Sequence, residues 1–476
     1  MQPTDAAGGE TWKVITTWRT LRRLGLFARR LSYSEAMSLR IGDARSEVEF
    51  GFDLERAAWT RRDATALVLW FVLVAGVTVG GRVVNSSFAT NVFAPPLFGR
   101  FDLRVGPATL LALAVACAVF WWGPRVGARI PWPALLAATF AAAGLWTVSL
   151  ALVDGAGALA APLAGPHDYL ASVGLIDTPA AFLRSFADRL PSFSLHVQGH
   201  PPGMVLILWG MARLGLGGAG WASVVVIGAG TSASAATLLT VKSLAGESAA
   251  RNLAPFLVLT PAAIWIATSA DAFFMGVGAW GIALLALGAQ RTSDPLAFAG
   301  GALLGLVLFL SYGAAALAPV ALAVVVLHGA VRSLVAALGG VLVVASLFAA
   351  AGFWWFEGLV ATVARYEAGL STQRPYAWFV VANLGALALV VGPATAVGLA
   401  RLRGTSAAML TWAALAGVAA ADLSGLSKGE VERIWLIFVP WLLVACVTFD
   451  LRRSRGMLAL QALAALAIQT GVRTPW

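Results

Sequence analysis

Apolar runs long enough to cross a lipid bilayer recur from residue 65 to residue 471, most of them separated by only a few polar residues. A helix needs about 20 apolar residues to span the hydrocarbon core, and fewer when flanking side chains snorkel. The candidate spans are 65–82, 106–123, 132–153, 220–240, 253–270, 273–289, 297–312, 314–328, 333–352, 377–400, 406–422, 434–449 and 457–471, about thirteen in all. The least regular are the pair split at Ser311-Tyr312-Gly313 and the last one. By length alone, 476 residues would make about three globular domains. Apolar residues are 59% of the chain, however, and charged residues 12%, which leaves too little polar surface to solvate such domains. The 50 glycines and 21 prolines lie among the apolar segments, where neighbouring membrane helices tolerate them. The expected fold class is an all-α polytopic membrane protein in a lipid bilayer, with juxtamembrane helices outside it.

Cys117 and Cys446 are the two cysteines, each inside an apolar run, so neither a disulfide scaffold nor cysteine redox or metal chemistry has support. The net charge of +10 does not point to nucleic acid as a partner. Most arginines punctuate apolar segments instead of forming a stripe, as topology determinants beside anionic lipid do. Residues 1–63 carry eleven Lys/Arg and nine acids with no apolar core of a signal peptide. There Trp12, Trp18, Leu21, Leu24 and Phe27 interleave with basic residues, the pattern of an amphipathic segment on the cytoplasmic leaflet.

With the N-terminus cytoplasmic, the short inner loops hold Arg125, Arg129, Lys242, Arg251, Arg291, Arg332, Arg401, Arg403, Arg452, Arg453 and Arg455. The outer side holds as many basic residues in roughly three times the length, so the density of positive charge sets this orientation. The outer loops are then 83–105, 154–219, 353–376 and 423–433. Of the fourteen acids beyond residue 64, eleven fall on the outer side, together with His167, His196 and His200. Topology does not require acids there. Titratable chemistry gathered on one face points to a function of that face.

The longest outer loop carries Asp154, His167, Asp168, Asp177 and Asp188 before Ser194-Leu-His196-Val-Gln198-Gly199-His200-Pro201-Pro202-Gly203. Its middle has apolar residues at helical spacing opposite charges, which predicts short surface helices. Two prolines at a helix start cost no hydrogen bonds and fix its direction, which would hold His200 at the helix mouth. His196 and His200 invite a zinc reading. Pro201 and Pro202 make a shared helical face improbable, and no HExxH glutamate stands between them, so a divalent metal has no support and no cofactor is expected. Structural histidines and histidines that bind substrate or handle protons are the two remaining readings.

A second constellation runs Asp422-Leu-Ser424-Gly-Leu-Ser427-Lys428-Gly429-Glu430-Val-Glu432-Arg433 into an apolar helix. Ionisable groups at membrane depth cost on the order of 2.5–3.5 kcal/mol each on insertion scales, so partners or water must compensate. Lys428 and Arg433 beside a helix N-terminus suit a lipid-linked phosphate. Ion pairing among Lys428, Glu430, Glu432 and Arg433 is the alternative. The loop Arg365–Tyr376 adds Arg374 and Tyr376 to the same side, and Asp271, after Ser269, stands at the outer end of a span as a binding or a capping residue.

His200-Pro201-Pro202, Thr260-Pro261 with Ser269 and Asp271, and the basic loop Lys428–Arg433 together resemble the C-type glycosyltransferase superfamily. The wording "GHPPG" and "GEVER-I-W" is similar to actinobacterial members, and the likeness covers roughly residues 130–450. The resemblance implies a multi-span domain over 64–476 and an enzyme of the plasma membrane with its active site on the extracytoplasmic side. It also implies a polyprenyl-phosphate sugar as donor and an envelope glycan, lipid or protein as acceptor. The family places its base, an Asp or Glu, in the first large outer loop. Here no adjacent Asp-Asp or Asp-Glu pair is present and an extra hairpin precedes the span ending at Asp154, which leaves the base open among the loop acids: Asp168 stands first and Asp154 second, with Asp177 and Asp188 behind, and His200 assists.

The chemistry of inverting transfer needs one carboxylate near the acceptor hydroxyl and cations for the departing phosphate. Asp168 would be the base, His196 and His200 the positioning groups, and Lys428, Arg433 and Arg374 the clamp. Asp271, Tyr376, Glu430 and Glu432 complete the expected substrate-binding set. A transporter or flippase of lipid-linked envelope precursors is the competing class. It should place charges near mid-membrane in broken helices, whereas the cores of these spans are almost free of charge.

Overall fold

The computed structural model describes residues 59–475 apart from 89, 268, 452 and 453. The amphipathic N-terminal segment expected over 1–63 lies, up to residue 58, outside the described residues. Helices dominate the remainder, and the described strands are a single antiparallel pair of two residues each, Arg100–Phe101 with Val472–Arg473.

Among the described residues, eight helices are long and apolar enough to cross a membrane: Arg61–Ser87, Pro107–Arg129, Trp132–Asp154, Ala219–Val258, Asp271–Arg291, Val331–Ala350, Ser406–Leu423 and Val431–Thr448. A ninth results if Tyr376–Val391 and Pro393–Arg401, bent by 96° at Gly392, count as one span. The expected 297–312 and 314–328 form helices of fewer than 18 residues, Asp294–Leu308 and Tyr312–His328. The expected 220–240 and the first part of 253–270 merge into Ala219–Val258, which turns at Gly246 (φ 85°). A positive φ is open to glycine without the Cβ penalty, so this is where a sharp turn is cheapest.

Local chemistry sets the breaks. The first helix begins with a capping box, Thr60 accepting from the Asp63 amide and Asp63 from the Thr60 amide. At the Gly392 bend, the Gln461 side chain donates to the Val391 carbonyl at 2.6 Å and accepts from the Ala394 amide at 3.1 Å. A neighbouring side chain thereby satisfies backbone groups that lipid could not. The Thr260-Pro261 interruption is held by Trp146, whose indole donates to the Thr260 carbonyl at 3.2 Å. Small residues let helices approach closely. A Cβ at Gly301 would collide with the Ala337 backbone, and one at Gly276 with the Ala229 carbonyl.

The Arg61–Ser87 and Val331–Ala350 helices are peripheral, with Val68, Phe71, Val335 and Leu347 exposed as lipid-facing side chains are. The Asp271–Arg291 and Val431–Thr448 helices are the most enclosed, and between them they present Asp271 and Arg433 at one end of the bundle. Contacts identify the opposite end: Arg401 pairs with Asp63 at 2.8 Å, Arg332 with Asp294, and Arg251 donates to the Gly127 and Ile130 carbonyls. Among the described residues, most of the acids lie at the end opposite these turns.

Candidate functional site

At the acid-rich end lies a cavity of about 710 Å³. Its wall includes Asp154, His167, Asp168, Tyr169, His196, Asp271, Glu430 and Arg433, drawn from four separate segments of the chain.

Asp154 ends the Trp132–Asp154 span, which tightens into a single 3-10 turn and stops at Gly155 (φ 96°). Its carboxylate pairs with Arg104 and accepts from the Gln469 amide at 2.8 Å. Arg104 also donates to the Gln469 carbonyl at 2.6 Å and to the Val472 carbonyl, which fastens residues 100–104 to the 469–473 segment.

Asp168 is 5% exposed, and its two oxygens have different partners. Oδ1 accepts from the Tyr169 amide at 2.7 Å, while Oδ2 lies 3.0 Å from His196 Nδ1. His196 sits on the short helix Leu195–Gln198, and its amide donates to the His167 carbonyl at 2.9 Å. Gln198 secures that turn by donating to the Phe193 carbonyl and accepting from Arg365. The carboxylate–imidazole contact fixes the orientation of the ring.

Asp271 opens its helix after Ser269, whose hydroxyl donates to Asp271 Oδ2 at 2.7 Å and accepts from the Asp271 amide at 3.1 Å. The same Oδ2 meets Arg433 Nη1 at 2.9 Å, and Arg433 Nη2 meets Glu430 Oε2 at 2.7 Å. Both Asp271 and Arg433 are buried, so their attraction acts in a poorly screened environment. Glu430 follows Gly429 (φ 90°) and itself has φ 62°. A non-glycine residue there costs on the order of 1–3 kcal/mol, a cost that the turn carries while aiming Glu430 back onto Arg433.

His200 lies just behind the wall. Its Nδ1 is 2.9 Å from the His196 carbonyl, and its Nε2 is 3.8 Å from Asp271 Oδ1. Burial pushes its pKa below the ordinary imidazole value of 6.5, and the nearby Asp271 carboxylate only partly offsets this. His200 is thus neutral near pH 7, with Nδ1–H donating to the carbonyl. Because the folded-state pKa is the lower one, the unfolded chain binds a proton first on acidification. The contribution of His200 to stability is intact above about pH 6.5. It falls as pH drops from there toward the depressed pKa. Thermal melts between about pH 7 and about pH 5 should show a larger loss of Tm for the wild type than for His200→Gln; parallel losses would contradict this assignment.

The remaining expected residues do not line the cavity. Arg374 donates to the Thr90 and Lys428 carbonyls and approaches Glu430 at 4.0 Å. The Lys428 amide donates to the Tyr366 hydroxyl. Tyr376 is exposed, its hydroxyl donating to the Leu423 carbonyl at 2.9 Å. Glu432 is fully buried and accepts from the Phe98 amide at 2.8 Å, tying the 83–105 loop to the 423–433 loop. Asp177 and Asp188 are not on the wall. Arg433 itself carries two carboxylates, so it is a paired cation and not a bare one.

The wall also includes groups that sequence reasoning did not nominate: Phe98, Gln469 and the stretch Val472–Pro475, with Arg473 half-exposed and 3.6 Å from Asp102. Gln469, a polar residue in the last turn of an apolar helix, is the signal that could have drawn attention to that end. Among the described residues no group of three or more His, Cys, Asp or Glu is placed to hold a metal ion.

No family model matches this chain, and no curated protein or solved structure does either.

Proposed function

We propose that this chain is an integral-membrane glycosyltransferase of the C-type superfamily. It moves a sugar from a polyprenyl-phosphate donor to an envelope glycan, lipid or protein acceptor. The observation that carries the reading is that Asp168, backed by His196, and Arg433 line one cavity although 265 positions separate Asp168 from Arg433 in the sequence.

Asp168 takes the proton of the acceptor hydroxyl as that oxygen attacks the anomeric carbon, and His196 holds the carboxylate in place. The bond from the anomeric carbon to the phosphate oxygen breaks, and the polyprenyl phosphate leaves with the electron pair. No general acid is needed, because the leaving group is a stable anion. Positive charge at the wall, from Arg433 and Arg473, stabilises it as charge develops. Arg374 stands behind Arg433, 4.0 Å from Glu430, and Glu430 and Asp271 set the position of the Arg433 guanidinium.

In this reading the protein sits in the plasma membrane with its N-terminus cytoplasmic and the cavity extracytoplasmic, an orientation supported by the density of basic residues in the inner turns. The reading counts Ala219–Val258 as two passes about Gly246, the bent pair Tyr376–Val391 and Pro393–Arg401 as one, and the helices Asp294–Leu308, Tyr312–His328 and Arg455–Gly471 as one each, which with the seven other long helices makes thirteen crossings. A flippase of lipid-linked precursors is the second reading, favoured by the interrupted helices at Gly392 and between Val258 and Asp271. Membranes containing the protein, incubated with radiolabelled polyprenyl-phosphate sugars one at a time, separate the two. The proposal expects label in an acceptor with release of polyprenyl phosphate. Intact labelled lipid delivered to the opposite leaflet, with no label transferred, would support the flippase instead.

A further inference from the structure

Tyr169 is the wall residue whose chemistry the scheme above leaves unused. It is 2% exposed, yet it lines the cavity. Its ring is wedged among His196, His200 and Phe274, with centroids 6.0, 5.7 and 6.3 Å away. Its amide is bound to Asp168, but its hydroxyl has no hydrogen-bond partner among the described residues. A phenol on a cavity wall that no protein group holds is open to a partner inside the cavity. Four acids, Asp154, Asp168, Asp271 and Glu430, share the wall with two arginines, one of which is already paired to two of those acids. That balance disfavours an anionic group beside Tyr169 and suits a neutral polyol. A sugar hydroxyl can accept from the phenol and donate to a carboxylate. Burial, reinforced by the charges of Asp271 and Asp168, keeps the phenol protonated far above pH 7, so the donor role is the one open to it.

We infer that Tyr169 is a sugar-binding residue, its hydroxyl donating to a hydroxyl of the transferred sugar while a neighbouring wall carboxylate, Asp271 or Asp168, accepts from that sugar. The inference rests on the glycosyltransferase reading and adds to it where the sugar sits: against Tyr169 on the cavity wall. A site built to pair a substrate hydroxyl discriminates strongly when either partner is removed.

The test is direct binding to the full-length protein in nanodiscs, using polyprenyl-phosphate mannose, polyprenyl-phosphate arabinose and bare polyprenyl phosphate as probes. Tyr169→Phe keeps the ring packing and removes one oxygen, so the fold is retained, which an unchanged Tm verifies. For whichever sugar lipid the wild type prefers, Tyr169→Phe should weaken binding about tenfold, the worth of one hydrogen bond. Affinity for bare polyprenyl phosphate should not change. Tyr169→Leu, which also removes the ring, should lose at least as much sugar-dependent affinity. Equal affinity of wild type and Tyr169→Phe for the preferred sugar lipid would overturn the assignment and leave the proposed activity standing. Equal weakening toward bare polyprenyl phosphate would overturn it too, by placing the phenol on the phosphate. A wild type that binds neither sugar lipid better than bare polyprenyl phosphate would remove the glycosyltransferase reading, and this inference with it.

Discussion

Replacing Asp168 by Asn is expected to lower sugar transfer by about 10²–10⁴-fold while leaving donor-lipid binding unchanged. The substitution keeps the size of the side chain and an oxygen that can accept from the Tyr169 amide, the 2.7 Å contact made by Asp168 Oδ1. It removes the negative charge that faces His196 and the capacity to take a proton. Binding and chemistry should therefore separate: the dissociation constant for donor lipid stays put and the turnover collapses. Asp154→Asn is the comparison that assigns the base. Asp154 is already committed to Arg104 and Gln469, so its loss should chiefly loosen the junction of residues 100–104 with the 469–473 segment. Wild-type turnover in the Asp168→Asn variant would take the base role away from Asp168.

The second large effect is on stability. Arg433 is buried and compensates the buried Asp271 and the partly exposed Glu430. Removing one partner of a buried ion pair typically costs about 3–5 kcal/mol, because the other charge is left uncompensated. Arg433→Met should therefore destabilise the protein by about that amount, visible as a lowered Tm in detergent and a lower yield of folded protein. Adding Asp271→Asn removes the stranded charge. The double variant Asp271→Asn/Arg433→Met should accordingly recover much of the loss, giving a coupling energy far from zero in a double-mutant cycle. Additive losses would mean that the Asp271–Arg433 pair is not an energetic unit. The same pairing shapes the catalytic expectation for Arg433: its guanidinium is held rigidly, and part of its charge is balanced before any phosphate arrives.

The membrane-spanning architecture was largely legible because hydrophobic length is a local property. The expected spans at 65–82 and 132–153 fall inside helices Arg61–Ser87 and Trp132–Asp154, and 106–123 starts one residue before helix Pro107–Arg129. Legibility failed where backbone geometry intervenes. Nothing in the apolar pattern distinguishes the turn at Gly246 from a true end, nor announces the 96° bend at Gly392, which depends on Gln461 from another helix. Periodicity indicates that an apolar segment is helical, whereas its division into one long helix or two short ones is decided by neighbours.

The site divides along the same line. Residue type and sidedness brought forward Asp154, Asp168, His196, Asp271, Glu430 and Arg433, and all of these line the cavity. They could be read because charged groups at the ends of apolar helices are expensive, and therefore conspicuous. Tyr376, Arg374 and Glu432 looked equivalent in sequence but point to other partners: a carbonyl at the surface, the Lys428 turn and the Phe98 amide. Arg104 and Gln469 meet only through the fold, 365 positions apart, and the two-residue ladder that carries Arg473 is too short to leave a strand pattern. Contacts of that kind have no local signature.

The account depends most directly on where a donor lipid sits. An electron cryomicroscopy map of the Asp168→Asn variant with a bound polyprenyl-phosphate sugar would locate it. The account predicts the sugar in the cavity between Asp168–His196 and Asp271, with the phosphate against Arg433 or Arg473 and the lipid chain leaving into the bilayer. A donor bound elsewhere on the protein, with this cavity holding only water, would contradict it.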